Sequence, residues 1–235
     1  MKVTLIDYNT DAAEKLIFCK NTRLKMSALT MDKVHAMSDE EKAAELKYIS
    51  NTIKSSWEFL DYTFMIEGVS RAFTHQFVRN RQGSYAQQTM RILDVSGFDY
   101  VTGPSIDNTY KEMLYDGCMA SIQVAYDALI EAGVAIEDAR GILPTNICTN
   151  IVAKYNLRTI SELLASRSSP RTQGEFRDVI ELMYQELVKV HPWLSVFLHN
   201  EKHFAAKELD DYITDQLTGT SLYYPLMKAV DKLRK

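Results

Sequence analysis

The stretch EGVSRAFTHQFVRNRQGSYAQQTMR, Glu67–Arg91, decides how the rest of the chain is read. It begins where YTFMIEG ends, a run that puts Tyr62, Phe64 and Ile66 on one side and predicts a strand closed by Gly68. Val69, Phe73 and Phe77 then recur every fourth residue, which predicts a helix stopped by Gly83. Arg71, His75 and Arg79 share the opposite face of that helix. From Arg71 to Arg91 there are four arginines and no lysine, aspartate or glutamate, although the chain carries a net charge of −4. No acid lies between Glu67 and Asp94 to neutralise them locally. Of eleven arginines in all, nine lie between Arg71 and Arg177, whereas lysine is spread over both ends. Solubility would be served by either cation. Arginine alone offers a planar fork that donates paired hydrogen bonds to phosphate or carboxylate and keeps its proton. The run QGSYAQQT after Arg81 reads as a loop of amides and hydroxyls suited to a polar heterocycle. If TMRILDV is extended, Thr89 and Arg91 project from one side. The competing explanation is solvated arginines paired with distant acids.

Outward from this segment, KVTLIDY alternates and predicts a strand. SDEEKAAELKYISNTIK opens with a capping box, Ser38 and Glu41, and carries Leu46, Ile49 and Ile53 at helical spacing. Met113–Ile130 reads as a helix with Gly133 beyond its end. Thr159 and Glu162 form a second capping box. Phe176, Val179, Ile180, Met183, Leu187 and Val190 line a helix that stops at HPW. Past Trp193 the pattern predicts a helix around Phe204–Leu217 and then a polar, glycine-containing end. The fold class is α+β, a single mixed domain over residues 1–199 with a helical C-terminal extension over 200–235.

A second arginine block occupies element ends, where ligand groups converge. Arg140 precedes GILP, whose Pro144 cannot continue a helix. Asn156 and Arg158 stand beside a helix N-terminus, a favoured anion position. Arg167 and Arg171 flank the turn SSP.

Composition narrows the classes. At 235 residues, 46% hydrophobic and 25% charged, the chain has the make-up of a globular domain. Its acidic balance gives no general reason to expect a nucleic-acid or anionic-membrane partner. No apolar run approaches the roughly 20 residues of a membrane span, and MKVTLIDYNT turns polar too soon for a secretory signal. Cys19, Cys118 and Cys148 make neither a disulfide framework nor a zinc spacing, so the expected compartment is the reducing cytoplasm, with no metal. A Gly-x-Gly-x-x-Gly motif is missing, which argues against a Rossmann cofactor site.

The opening segment resembles the signature region of the flavin-dependent thymidylate synthases, the ThyX family: Arg-His-Arg, seven residues, Ser, then Arg-Tyr. SWEF, Ser56 to Phe59, resembles that family's Ser-Pro-(Leu/Phe)-Glu-His. DARGILP, NLR and RSSPRTQGEFR resemble three further blocks in the same order, so the likeness runs from about Trp57 to Trp193. It implies reductive methylation of dUMP to dTMP, with methylenetetrahydrofolate as carbon donor, FAD as hydride carrier and NADPH as reductant, in a homotetramer whose sites are shared between subunits. The implied flavin contacts are Ser56, Arg79, Asn80, Arg81, Asn156, Leu157, Arg158 and Glu162, with Gln87 between flavin and nucleotide. The implied nucleotide contacts are Gln76, Arg79, Gln88, Thr89, Met90, Arg91, Arg140 and Arg167, the last matching the arginine that polarises the pyrimidine N3 edge. Tyr85, Phe59 and Trp57 are candidates to stack on the flavin, with core packing the plainer role for each.

Four positions depart from the pattern: Asn80 stands for histidine, Thr89 for serine, Ile92 for tyrosine and Phe59 for histidine. Asn80 hydrogen-bonds but carries no charge. These departures keep open the same chemistry at C5 of dCMP or UMP. A different class, a non-catalytic nucleic-acid-binding protein using the arginines on phosphates, is the further alternative. The implied route needs no cysteine nucleophile. Cys148, near one block, reads as a small buried residue, and His75 as a helix-face histidine bonded to a neighbour, with proton transfer the sharper alternative.

Overall fold

The computed structural model describes residues 1–25, 29–167, 172–198, 209–210 and 212–233. The elements form a mixed α+β fold around a four-stranded sheet of order β1-β2-β4-β3: β1 Lys2–Tyr8, β2 Asp61–Ser70, β3 Ser84–Gln87 and β4 Cys148–Asn156. The chain divides into two compact units, one of Met1–Thr4 and Phe64–Ala153, the other of Leu5–Thr63 and Lys154–Lys235.

In the first unit, Phe64, Ile66, Val69, Phe73 and Phe77 are all fully buried, as their spacing predicts. The boundaries differ from the sequence reading. β2 does not close at Gly68 but continues to Ser70, with Gly68 at φ +64, a conformation glycine adopts without a Cβ clash. A Cβ there would also lie 3.2 Å from the Met1 nitrogen. The following helix is short, Arg71–Phe77, with the Ser70 hydroxyl accepting from the Phe73 N–H at 3.0 Å. It ends well before Gly83. The Tyr85 hydroxyl donates to the carbonyls of Phe77 (3.2 Å) and Asn80 (2.6 Å), so acceptors that a longer helix would use are already bonded. Arg79 therefore lies beyond the helix, and does not share a helical face with Arg71 and His75. SYAQ, read as loop, is β3. TMRILDV is not extended; the Arg91 N–H bends back to the Thr89 hydroxyl at 3.0 Å. The long helix Thr109–Glu131 is capped by Asn108 and followed by Gly133 at φ +81.

In the second unit, helices Ala12–Lys25, Met31–His35 and Asp39–Ser50 precede a 3-10 segment, Lys54–Phe59. Both halves of the Ser38–Glu41 capping box form. Leu46 and Ile49 are buried, but the helix ends at Ser50, leaving Ile53 63% exposed. β4 runs straight into the helix Leu157–Arg167. The cap there is Asn156, whose Oδ1 accepts from the Thr159 N–H at 2.8 Å. Thr159, expected to cap, is buried inside the first turn, because the strand already extends to Asn156. Gly174–Val190 buries Phe176, Val179, Ile180, Met183 and Leu187 and stops at His191–Pro192. Of the tail helix predicted over Phe204–Leu217, residues 204–208 and 211 lie outside the described residues, and 209–210 and 212–217 are helical. Where a polar end was expected there is a helix, Tyr223–Leu233, whose Val230 is buried with Ile213.

Candidate functional site

The first unit holds most of the implied nucleotide set. Arg91 comes from the bend after β3, and Arg140 opens a 3-10 turn after the short helix Ile136–Ala139. Both reach Glu137: Arg91 Nε lies 3.2 Å from its carboxylate, and Arg140 Nε donates to its carbonyl at 3.1 Å. Arg71 sits beside Arg140; burial and that second guanidinium both depress its pKa. Its Nε is buried without a partner among the described residues, while Nη2 donates to the Gln88 carbonyl at 2.5 Å. The Gln87 amide donates to the buried Thr74 hydroxyl at 2.8 Å. Gln76 is half-buried on its short helix; Arg79, Arg81 and Thr89 are exposed, and Asn80 and Met90 are half-buried. Asn80 uses Oδ1 to accept from the Gln82 N–H at 3.1 Å, so its amide shapes the turn. His75 is exposed.

The second unit holds much of the flavin set. Arg158, in the first turn of its helix, bonds Glu58 at 2.6 Å and Glu162 at 3.1 Å, so two carboxylates orient its guanidinium. Leu157 is fully buried and seats that helix. The Ser56 hydroxyl is buried with no partner among the described residues. Lys54 donates to Ser161 at 2.7 Å and lies 4.8 Å from the centre of the Trp57 ring; burial lowers its pKa, Glu162 raises it and Arg158 lowers it. Of the stacking candidates here, Trp57 is buried against Phe197 and Phe59 is 56% exposed. Arg167 ends its helix with the guanidinium 5.2 Å from the centre of the Phe176 ring. Arg171 lies outside the described residues.

Sequence reasoning missed Glu137, Thr74, Lys54 and Asn150, whose Nδ2 donates to the Gln88 side chain at 3.2 Å. The contacts Glu137–Arg91, Thr74–Gln87 and Lys54–Ser161 likewise join residues distant in sequence, which spacing does not reveal. Among the described residues, no three His, Cys, Asp or Glu side chains gather as a metal site, and no helix is long and apolar enough to cross a membrane.

A family model described as thymidylate synthase complementing protein matches residues 4–193. A flavin-dependent thymidylate synthase of Sulfurisphaera tokodaii is 34% identical over 83% of this chain and 76% of its own length. One from Clostridium tetani is 32% identical over 82% and 84%. The crystal structure of thymidylate synthase X from Helicobacter pylori with FAD and dUMP superposes with a TM-score of 0.66, covering 85% of this chain and all of that one. At 19% identity that match speaks for the fold.

Proposed function

Since the chain belongs to the flavin-dependent thymidylate synthase family, we propose that it converts dUMP to dTMP, taking the carbon from methylenetetrahydrofolate and electrons from NADPH through FAD. The observation that carries this reading is the convergence of Arg91 and Arg140 on Glu137 with the half-buried Arg71 beside them. That is a concentration of donors with too little negative charge of its own.

Methylation at C5 needs an electron-rich ring carbon, a one-carbon donor and a reduction. The protein supplies placement and charge. Arg91 and Arg140 hold the phosphate, with Gln76, Arg79, Gln88, Thr89 and Met90 along the nucleotide. Arg167 stabilises negative charge as it develops at N3 and O4. Each charge-assisted bond of this kind contributes about 1.5–3 kcal/mol. No thiolate is required, and burial pushes the Cys19 thiol up, away from the thiolate form.

The second unit's residues fit a flavin. The Ser56 hydroxyl, unpartnered among the described residues, and the braced Arg158 guanidinium are donors suited to its polar ring edge and phosphates, and Asn156 keeps its amide NH2 while Oδ1 caps the helix. Arg79, Asn80, Arg81, Gln87, Leu157 and Glu162 complete the set. When bound, the flavin supplies the hydride.

The reading extends to a cytoplasmic homotetramer with sites shared between subunits. Its support is the helix Thr109–Glu131, which leaves Tyr110, Met113, Leu114 and Val124 exposed along one stripe, together with free cysteines throughout. The reading keeps a catalytic domain over 1–199 and an extension over 200–235; its support is a family match that runs over residues 4–193. The test is turnover of dUMP, dCMP and UMP, each with methylenetetrahydrofolate and NADPH. dTMP from dUMP is expected; preferential methylation of dCMP or UMP would overturn the assignment.

A further inference from the structure

We infer that Asn150 is a positioning residue that fixes the polarity of the Gln88 side chain, so that Gln88 offers a bound nucleotide a hydrogen-bond donor. The inference rests on the dUMP reading above and deepens it. Every group it uses lies in the first unit.

Gln88 has four polar groups, and three are committed. Its N–H donates to the Asn150 carbonyl at 2.9 Å. Its carbonyl accepts from Arg71 Nη2. Its side-chain Oε1 accepts from Asn150 Nδ2 at 3.2 Å. The orientation of the Asn150 amide is itself dictated, because Oδ1 accepts from the Gly68 N–H at 3.0 Å. A backbone N–H can only donate, so it selects the oxygen end of Asn150. The remaining NH2 can only donate, so it selects the oxygen end of Gln88. The polarity of one peptide N–H in β2 is thus relayed across β4 to the residue that follows β3. What remains is Nε2 of Gln88, exposed and without a partner among the described residues. Two N–H donors are left for ligand acceptors such as the phosphate and carbonyl oxygens of dUMP.

Asn150→Asp replaces the guiding donor by an acceptor and turns the Gln88 amide over, so a nucleotide meets oxygen first. Asn150→Ala removes the guide without imposing the reverse. On the flavin-loaded enzyme, calorimetry is expected to show dUMP Kd rising about fivefold for Asn150→Ala and about fiftyfold for Asn150→Asp, with KM following and kcat changing much less. In a Gln88→Ala background the difference between Asp and Ala at position 150 should largely vanish. If it persists undiminished, charge or misfolding causes the loss and the relay is wrong. Thermal melting identifies any variant that fails to fold; should Asn150→Asp do so, Asn150→Ala decides alone, and an unchanged Kd there overturns the inference. A wild-type enzyme that does not bind dUMP would instead count against the proposed function.

Discussion

Glu137 holds two arginines through contacts that cost little to break. The Arg91–Glu137 pair has side chains 69% and 54% exposed, and such a surface pair is worth about 0–1 kcal/mol. A phosphate dianion, with more charge and more acceptor oxygens, can displace that carboxylate from Arg91. Arg91→Ala and Arg140→Ala should therefore each weaken dUMP binding about tenfold or more while leaving deoxyuridine affinity nearly unchanged, as read by calorimetry. Equal losses for both ligands would mean that the arginines do not hold phosphate. Arg167→Ala should retain its flavin and lower dTMP formation by at least about a hundredfold, the scale of losing one donor to developing charge. Near-normal turnover would remove the role assigned to it. The arginines themselves were legible, because their clustering is a compositional fact. Their partners were not. Glu137 and Asn150 are unremarkable in sequence and gain meaning only when tertiary contacts bring Arg91 and Gln88 to them.

At the scale of elements, periodicity revealed the long features and missed the short ones. The Ser38–Glu41 box and the buried face of Gly174–Val190 form as read, since each is written in consecutive turns. The four-residue β3 gives too little alternation to detect, and it exists because β4 lies beside it. The helix Arg71–Phe77 is cut short by Tyr85, which no local pattern announces. Asn156 caps one helix with its oxygen, which leaves its NH2 for the flavin contact proposed for it. Asn156→Ala should cost about 1 kcal/mol of stability in a denaturant titration. Asn156→Asp should retain the cap, yet both variants should lose flavin on gel filtration. Full flavin retention by Asn156→Asp would show that the amide makes no flavin contact.

For the molecule as a whole, stability carries a pH signature from His191. Its ring is almost fully buried, bonded to the Tyr62 hydroxyl at 3.2 Å and edge-on to Tyr8. Burial lowers its pKa, with Glu14 opposing weakly. The folded state therefore resists protonation, and below about pH 6.5, the ordinary histidine value, the unfolded chain binds more protons. Stability is full above that pH and falls as pH drops toward the lowered folded pKa. The denaturant midpoint should fall between about pH 7.5 and about pH 5.5, less steeply in His191→Leu; identical slopes would place the acid sensitivity elsewhere. The central claim, that these arginines hold a nucleotide in contact with a bound flavin, meets its most direct test in the flavin absorption of the purified enzyme titrated with dUMP. A saturable perturbation of the flavin band is predicted, and it should be lost in the Arg91→Ala, Arg140→Ala double variant. An unchanged spectrum in protein that demonstrably binds dUMP would contradict the account.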